Sequence, residues 1–138
     1  MFRILYVFLA VLLCSCAALA DGDVNVARAR WGATAEASSE FGPDYRAGNA
    51  LDGRWASREQ HKWNSRLNAT PHWLRIDFGR AVTVHRVVVR HEGVYGGGES
   101  FNTSDYRIQA ADSPDGPWRD IVDPVRGNTD DMNEFTFD

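Results

Sequence analysis

His-Trp-Leu-Arg-Ile-Asp-Phe-Gly at 72–79 decides the fold class. Leu74, Ile76 and Phe78 alternate with Trp73, Arg75 and Asp77. This period of two sends one set of side chains into a core and the other toward solvent, as in a half-buried β-strand. Working downstream, Val82 to Arg90 is apolar on both faces toward its end, at Val87, Val88 and Val89, which reads as a central strand. Tyr106, Ile108 and Ala110 alternate with Arg107 and Gln109. Trp118 to Val122 follows a Pro114-Asp115-Gly116-Pro117 turn, and Phe135 and Phe137 alternate again. Leu74, Ile76, Phe78, Val87, Val89, Tyr106 and Ile108 are the expected core. Frequent turn signals between short strands indicate an all-β antiparallel sandwich. Nothing between the strands is long enough for a crossover helix, which excludes a parallel α/β sheet.

Upstream, Val24 to Ala29 reads as a short edge strand and Tyr45 to Leu51 as one helix-like turn ended by Asp52-Gly53. Residues 54–71 hold few apolar side chains and read as a long loop.

Residues 1–20 read as a secretory leader. Arg3 is their only charge, Ile4 to Leu13 is unbroken apolar sequence, and Ala18-Leu19-Ala20 has the small residues signal peptidase requires. Leu13-Cys14-Ser15-Cys16 is also similar to a bacterial lipobox. Two outcomes stand side by side: cleavage after Ala20, or lipidation of Cys16 as the mature N-terminus. Either gives a secreted or envelope-anchored protein. A membrane contact would come only through the lipid at Cys16.

Both cysteines lie in that leader, so residues 21–138 must be stabilised by their core or by a metal. Their length suits one domain, expected to be monomeric. With 15 basic and 19 acidic residues in the whole chain, the formal charge is −4. An acidic balance excludes a nucleic-acid partner, which needs a basic surface.

Together with Asn49-Ala50-Leu51-Asp52-Gly53, the stretches at 72–79, 84–91, 104–110 and 113–120 resemble a coagulation-factor 5/8 type C (discoidin) domain. They are most similar to bacterial family 32 carbohydrate-binding modules. The resemblance implies a jelly-roll sandwich of the galactose-binding-domain type over 21–138, and absence of a disulfide fits its bacterial branch. It also implies a further strand after Phe137, so the domain is expected to be C-terminally incomplete and the chain a fragment of a larger protein, such as a glycoside hydrolase.

The resemblance places a calcium loop at Asn49, Asp52, Arg54 and Ser57. Calcium takes six to eight oxygen ligands, which a tight turn supplies as carbonyls and a carboxylate. Asp-Gly is by itself an ordinary turn dipeptide.

A sugar site on a sandwich needs an aromatic face and planar polar groups on loops at one end. Two loops offer them: Trp55 and His61 in the first; Arg90, His91, Tyr95, Glu99, Phe101 and Asn102 in the second. Trp55 and Phe101 are alternative stacking faces. His91, Glu99 and Asn102 are expected to converge. Galactose or N-acetylated hexosamines are the ligands the family implies.

The expected function is therefore a non-catalytic module that brings a glycan-active protein to its glycan. The alternative is an adhesion domain binding protein or phospholipid through Trp55, Tyr95 and Phe101. A glycosidase pair at Glu92 and Glu99 would need a deep cleft, and no metalloprotease, serine-hydrolase or phosphate-loop motif occurs.

Overall fold

A computed structural model describes residues 2–8 (as backbone), 24–54, 61–67 and 71–137. The described residues form seven strands: β1 (Phe2–Phe8), β2 (Thr34–Ala37), β3 (Leu74–Val82), β4 (Arg86–Arg90), β5 (Arg107–Ala111), β6 (Arg119–Asp120) and β7 (Met132–Thr136). Five make one antiparallel sheet in the order β2-β3-β1-β5-β6; β4 and β7 make the other. The helical content among the described residues is short 3-10 turns, including Ala47–Leu51 where the helix-like turn is expected. The chain folds as the expected all-β sandwich.

The core lies between the sheets. Ile76, Phe78 and Val82 of β3 and Ile108 of β5 pack with Val87 and Val89 of β4, and Phe135 of β7 is packed against them. All seven expected core residues are buried. The alternation in 74–78 is realised residue by residue: Leu74, Ile76 and Phe78 are buried while Arg75 and Asp77 are partly exposed. A second cluster joins Trp63 and Leu74 to Ala47 and Ala50 of the 3-10 turn, so the turn is anchored by apolar contact although its residues are small.

Two local expectations are corrected. Val24 to Ala29 is a turn, not a strand. The Asn25 side-chain oxygen accepts from the Ala27 amide at 3.1 Å and the Asn25 carbonyl from the Arg28 amide at 3.3 Å. Asn thereby offers the backbone a local partner in place of a sheet ladder. Val82 to Arg90 is not one strand: β3 ends at Val82 and β4 starts at Arg86 in the other sheet. Val82 and Val87 both enter the core, yet their odd separation would send them to opposite faces of an unbroken strand. The break at 83–85 reconciles them. Val87, Val88 and Val89 are all buried, but among the described residues β4 has β7 as its one ladder partner.

The N-terminal apolar run is also placed in part. Phe2–Phe8 lies as β1 between β3 and β5. The rest of the expected leader, with Cys14, Cys16 and Ala20, lies outside the described residues.

Candidate functional site

The sheet register gathers the loops. Leu74, at the start of β3, pairs with Ala37 at the end of β2 and with Val7 of β1. Phe8 pairs with Arg107 at the start of β5. The segments after β2, before β3 and before β5 therefore leave the large sheet at one end. Between them lies an open depression of about 450 Å³, bordered by Phe41 and Tyr45, by residues of 62–67, and by His91, Glu92, Gly97, Phe101 and Thr103.

Its polar floor is built around Lys62, the one lysine of the chain. Lys62 is 7% exposed. Its ammonium donates to Glu92 Oε2 at 2.5 Å and lies 5.8 and 5.7 Å from the ring centroids of Tyr45 and Tyr95. A cation at that distance from two rings is held by their quadrupoles as well as by the carboxylate. Glu92 opens the 3-10 turn Glu92–Tyr95. A Cβ on Gly97 would fall 2.4 Å from Glu92 Cγ, so any larger residue there would displace the Glu92 side chain.

His91 supplies the next group. Its ring is buried at 2% exposure and tilted against Tyr106, with centroids 5.5 Å apart. Asn133 Oδ1 lies 2.8 Å from His91 Nε2 and 2.6 Å from the Tyr106 hydroxyl. The Asn133 amide nitrogen faces Asp130 Oδ2 at 3.5 Å, which fixes the amide so that its oxygen accepts from both. His91 thus carries its proton on Nε2, leaving Nδ1 an acceptor. That Nδ1 is buried and has no partner among the described residues. Burial holds the His91 pKa below the usual histidine value, outweighing the Asn133 bond and the Asp131 and Asp130 carboxylates, which raise it. The ring is neutral at pH 7.

The rim is apolar. Phe41, Leu67 and Phe101 are 56%, 79% and 70% exposed, and Phe41 meets Tyr45 edge-on at 5.7 Å. Trp63 contributes a buried wall, its indole donating to the Ser39 carbonyl at 2.9 Å. Phenyl faces beside a donor and a carboxylate suit a ligand with C–H faces and hydroxyls.

The expected ligand residues are distributed unevenly. His91 and Phe101 border the depression. Tyr95 lies under it against Lys62; burial pushes its phenol up to about 12. Arg90 is buried in β4, and His61 Nδ1 is bound to Asp52 Oδ2 at 2.8 Å. Trp55 lies outside the described residues.

Of the three residues expected to converge, His91 and Asn102 meet at Asp131, whose carbonyl accepts from the His91 amide at 2.8 Å and whose Oδ1 faces the Asn102 amide nitrogen at 2.8 Å. Among the described residues that border the depression, neither Glu99 nor Asn102 appears, and Glu99 is exposed. The Asn102 amide is consumed inside the protein. Its oxygen accepts from the Gly93 amide at 2.7 Å, and its nitrogen faces the Thr129 and Asp130 carbonyls at 3.2 Å and Asp131 Oδ1 at 2.8 Å. It ties the Glu92–Tyr95 turn to the loop before β7. Phe41, Tyr45, Lys62 and Leu67 are the residues sequence reasoning missed. A sole lysine flanked by His61 and Trp63 was the available signal.

At the expected calcium loop, Asp52 Oδ1 accepts from the Arg54 amide at 2.6 Å and Oδ2 meets His61. The Asn49 side-chain nitrogen donates to the Asp44 carbonyl at 2.7 Å and the Lys62 carbonyl at 3.3 Å. The Arg28 guanidinium lies over Gly53, where a Cβ would fall 1.9 Å from Cζ. In this arrangement both Asp52 carboxylate oxygens have protein partners and a cationic side chain covers the turn. Ser57 lies outside the described residues.

A family model described as a NedA-like, galactose-binding domain matches residues 49–138. The chain belongs to that family. The match spans the loop before β3, all of the second loop and every strand from β3 to β7, and it agrees with the resemblance to F5/8 type C domains. No curated protein and no solved structure matches the chain. Galactose-binding-like domains are generally non-catalytic, and membership is compatible with carbohydrate binding.

Proposed function

We propose that this galactose-binding-like domain binds a neutral hexopyranose of the galactose type in the depression at the loop end, without chemistry, and so holds an attached or associated glycan-active protein near its substrate. The carrying observation is the pairing of exposed Phe41 and Phe101 with the Lys62–Glu92 pair around one opening. A pyranose offers an apolar C–H face for an aromatic ring, and its hydroxyls both donate and accept. The site is shallow and open, so affinity per site is expected near the millimolar range, about 4 kcal/mol, with tethering raising the local concentration.

The Arg3 charge and the Ile4 to Leu13 run support export, with cleavage after Ala20 or lipidation at Cys16. The test of binding is calorimetry of the purified chain with galactose, N-acetylgalactosamine and glucose, repeated on Phe101→Ala. Saturable galactose binding that weakens in the variant is expected. No heat with any of the sugars overturns the reading; equal binding by the variant moves the stacking face away from Phe101. Capture by phospholipid vesicles instead of sugar would assign the exposed Phe41, Leu67 and Phe101 to adhesion.

A further inference from the structure

The two charges at the opening are not equivalent, and their order in depth bears on which sugars can enter. Among the described residues that border the depression, Lys62 and Glu92 are the two charged side chains. His91 borders it as a neutral ring. Lys62 lies deeper: its side chain is 9% exposed and that of Glu92 26%. The ammonium is enclosed by the Tyr45 and Tyr95 rings. The more exposed carboxylate is joined to it through Oε2 at 2.5 Å.

Glu92 uses one oxygen on that pair and keeps the other. Among the described residues, Oε2 takes the Lys62 ammonium and no hydrogen bond to Oε1 is formed. Oε1 lies over Gly97, where a Cβ would fall 2.8 Å from it. Gly97 borders the same opening and has no side chain to cover this oxygen. An ionised carboxylate accepts hydrogen bonds and cannot donate. It therefore suits a hydroxyl or an ammonium and repels a second carboxylate. The Lys62 ammonium offsets that repulsion only in part. A negative charge about 4 Å from Oε1 would stand about 6.5 Å from the ammonium behind it, and at an effective dielectric constant of about 20 the unbalanced repulsion is worth roughly tenfold in affinity. A positive charge in the same place gains by a similar factor.

We propose that Glu92 is a specificity-determining residue of the depression: its Oε1 admits neutral and ammonium-bearing hexopyranoses and rejects those that carry a carboxylate. The inference rests on the reading of the depression as a sugar site and adds a charge rule to it. Lys62 has a defined part in that rule. It orients the carboxylate through Oε2 and weakens its field, so that a neutral sugar is not disfavoured. Discrimination comes from a repulsive element as much as from an attractive one, as selective sites require.

The test is calorimetry of the full chain with galactose, galacturonate and galactosamine at pH 6, at low and at high salt, on the parent, Glu92→Gln and Lys62→Met. In the parent, galacturonate is expected to bind roughly tenfold more weakly than galactose, and galactosamine at least as tightly as galactose. Both differences should shrink at high salt, because the charges at the opening are then screened. The variants are read as ratios between sugars, so that a general loss of affinity or of folded protein cancels. Glu92→Gln is expected to raise the galacturonate-to-galactose ratio about tenfold or more, and Lys62→Met to lower it. A pair with a merely structural role would weaken all three sugars together and leave the ratios alone. Should a variant fail to fold, the parent's own ratio and its salt dependence decide. The proposal is overturned if the parent binds galacturonate as tightly as galactose or more so, if its preference is indifferent to salt, or if the ratio is the same in both folded variants. Equal binding of the two sugars by the parent leaves the sugar reading standing, whereas a parent that binds none of the three ends both.

Discussion

Lys62 and Glu92, separated by thirty residues, meet at 2.5 Å and join the loop before β3 to the turn after β4. Each is sheltered, with side chains 9% and 26% exposed, so the pair is less screened than a surface ion pair. Removing one partner leaves the other charge poorly solvated. Lys62→Met and Glu92→Gln are each expected to lower stability by about 1–3 kcal/mol, because the stranded partner loses a charged hydrogen bond. Both should weaken galactose binding about tenfold or more. Denaturant titration and calorimetry on each variant check this; binding unchanged in both would remove the pair from the site.

Phe101 should behave oppositely. It is mostly exposed and contributes little to the core, so Phe101→Ala is expected to leave stability within about 0.5 kcal/mol. Loss of an aromatic face is worth about 0.5–1.5 kcal/mol, a two- to twelvefold loss of sugar affinity. A variant that binds as tightly as the parent would shift the stacking role to Phe41 or Trp55.

His91 makes stability depend on pH. Its folded pKa lies below the unfolded value of 6.5 because burial disfavours the imidazolium. The unfolded chain therefore binds more protons in this range, and its share of stability is present above pH 6.5 and is lost as pH falls from there toward the folded pKa. The melting temperature is expected to fall between pH 7 and pH 5, and less steeply in His91→Gln. Parallel slopes for parent and variant would contradict this.

Asn102 is expected to be structural. Asn102→Ala removes the partner of the Gly93 amide and the donor facing the loop before β7. Leaving part-buried groups unpaired should cost about 1–3 kcal/mol. Sugar affinity measured well below the melting temperature should change little. A stable variant with lost binding would return Asn102 to the ligand site.

Asp52, His61 and Arg28 predict the response to metal. With its carboxylate oxygens engaged and a guanidinium over Gly53, the chain is expected to melt at the same temperature in calcium and in chelator. A ligand that bound only the folded state would raise it by mass action. A clear rise with calcium would mean that His61 and Arg28 yield the loop to the ion.

Local sterics account for the part of this fold that is legible along the chain. Alternation at Leu74, Ile76 and Phe78, and at Tyr106 and Ile108, set strand, face and burial together, because successive residues of a strand point to opposite sides whatever the strand pairs with. The same reading put the sugar-compatible residues of 90–104 on a loop, since Gly96-Gly97-Gly98 cannot continue a ladder usefully. Which polar groups were spent was decided in three dimensions. Asn102 and Lys62 are both hydrophilic loop residues in sequence; one is used up on Gly93 and the loop before β7, while the other is drawn beside Tyr45, Tyr95 and Glu92 at the opening. Closure of the sheets also decided that Phe2–Phe8, apolar enough to be a leader, lies between β3 and β5. Periodicity is a property of neighbours along the chain, whereas hydrogen-bond and strand partners are chosen by distance in space, and that distance exists only once the sheets have closed.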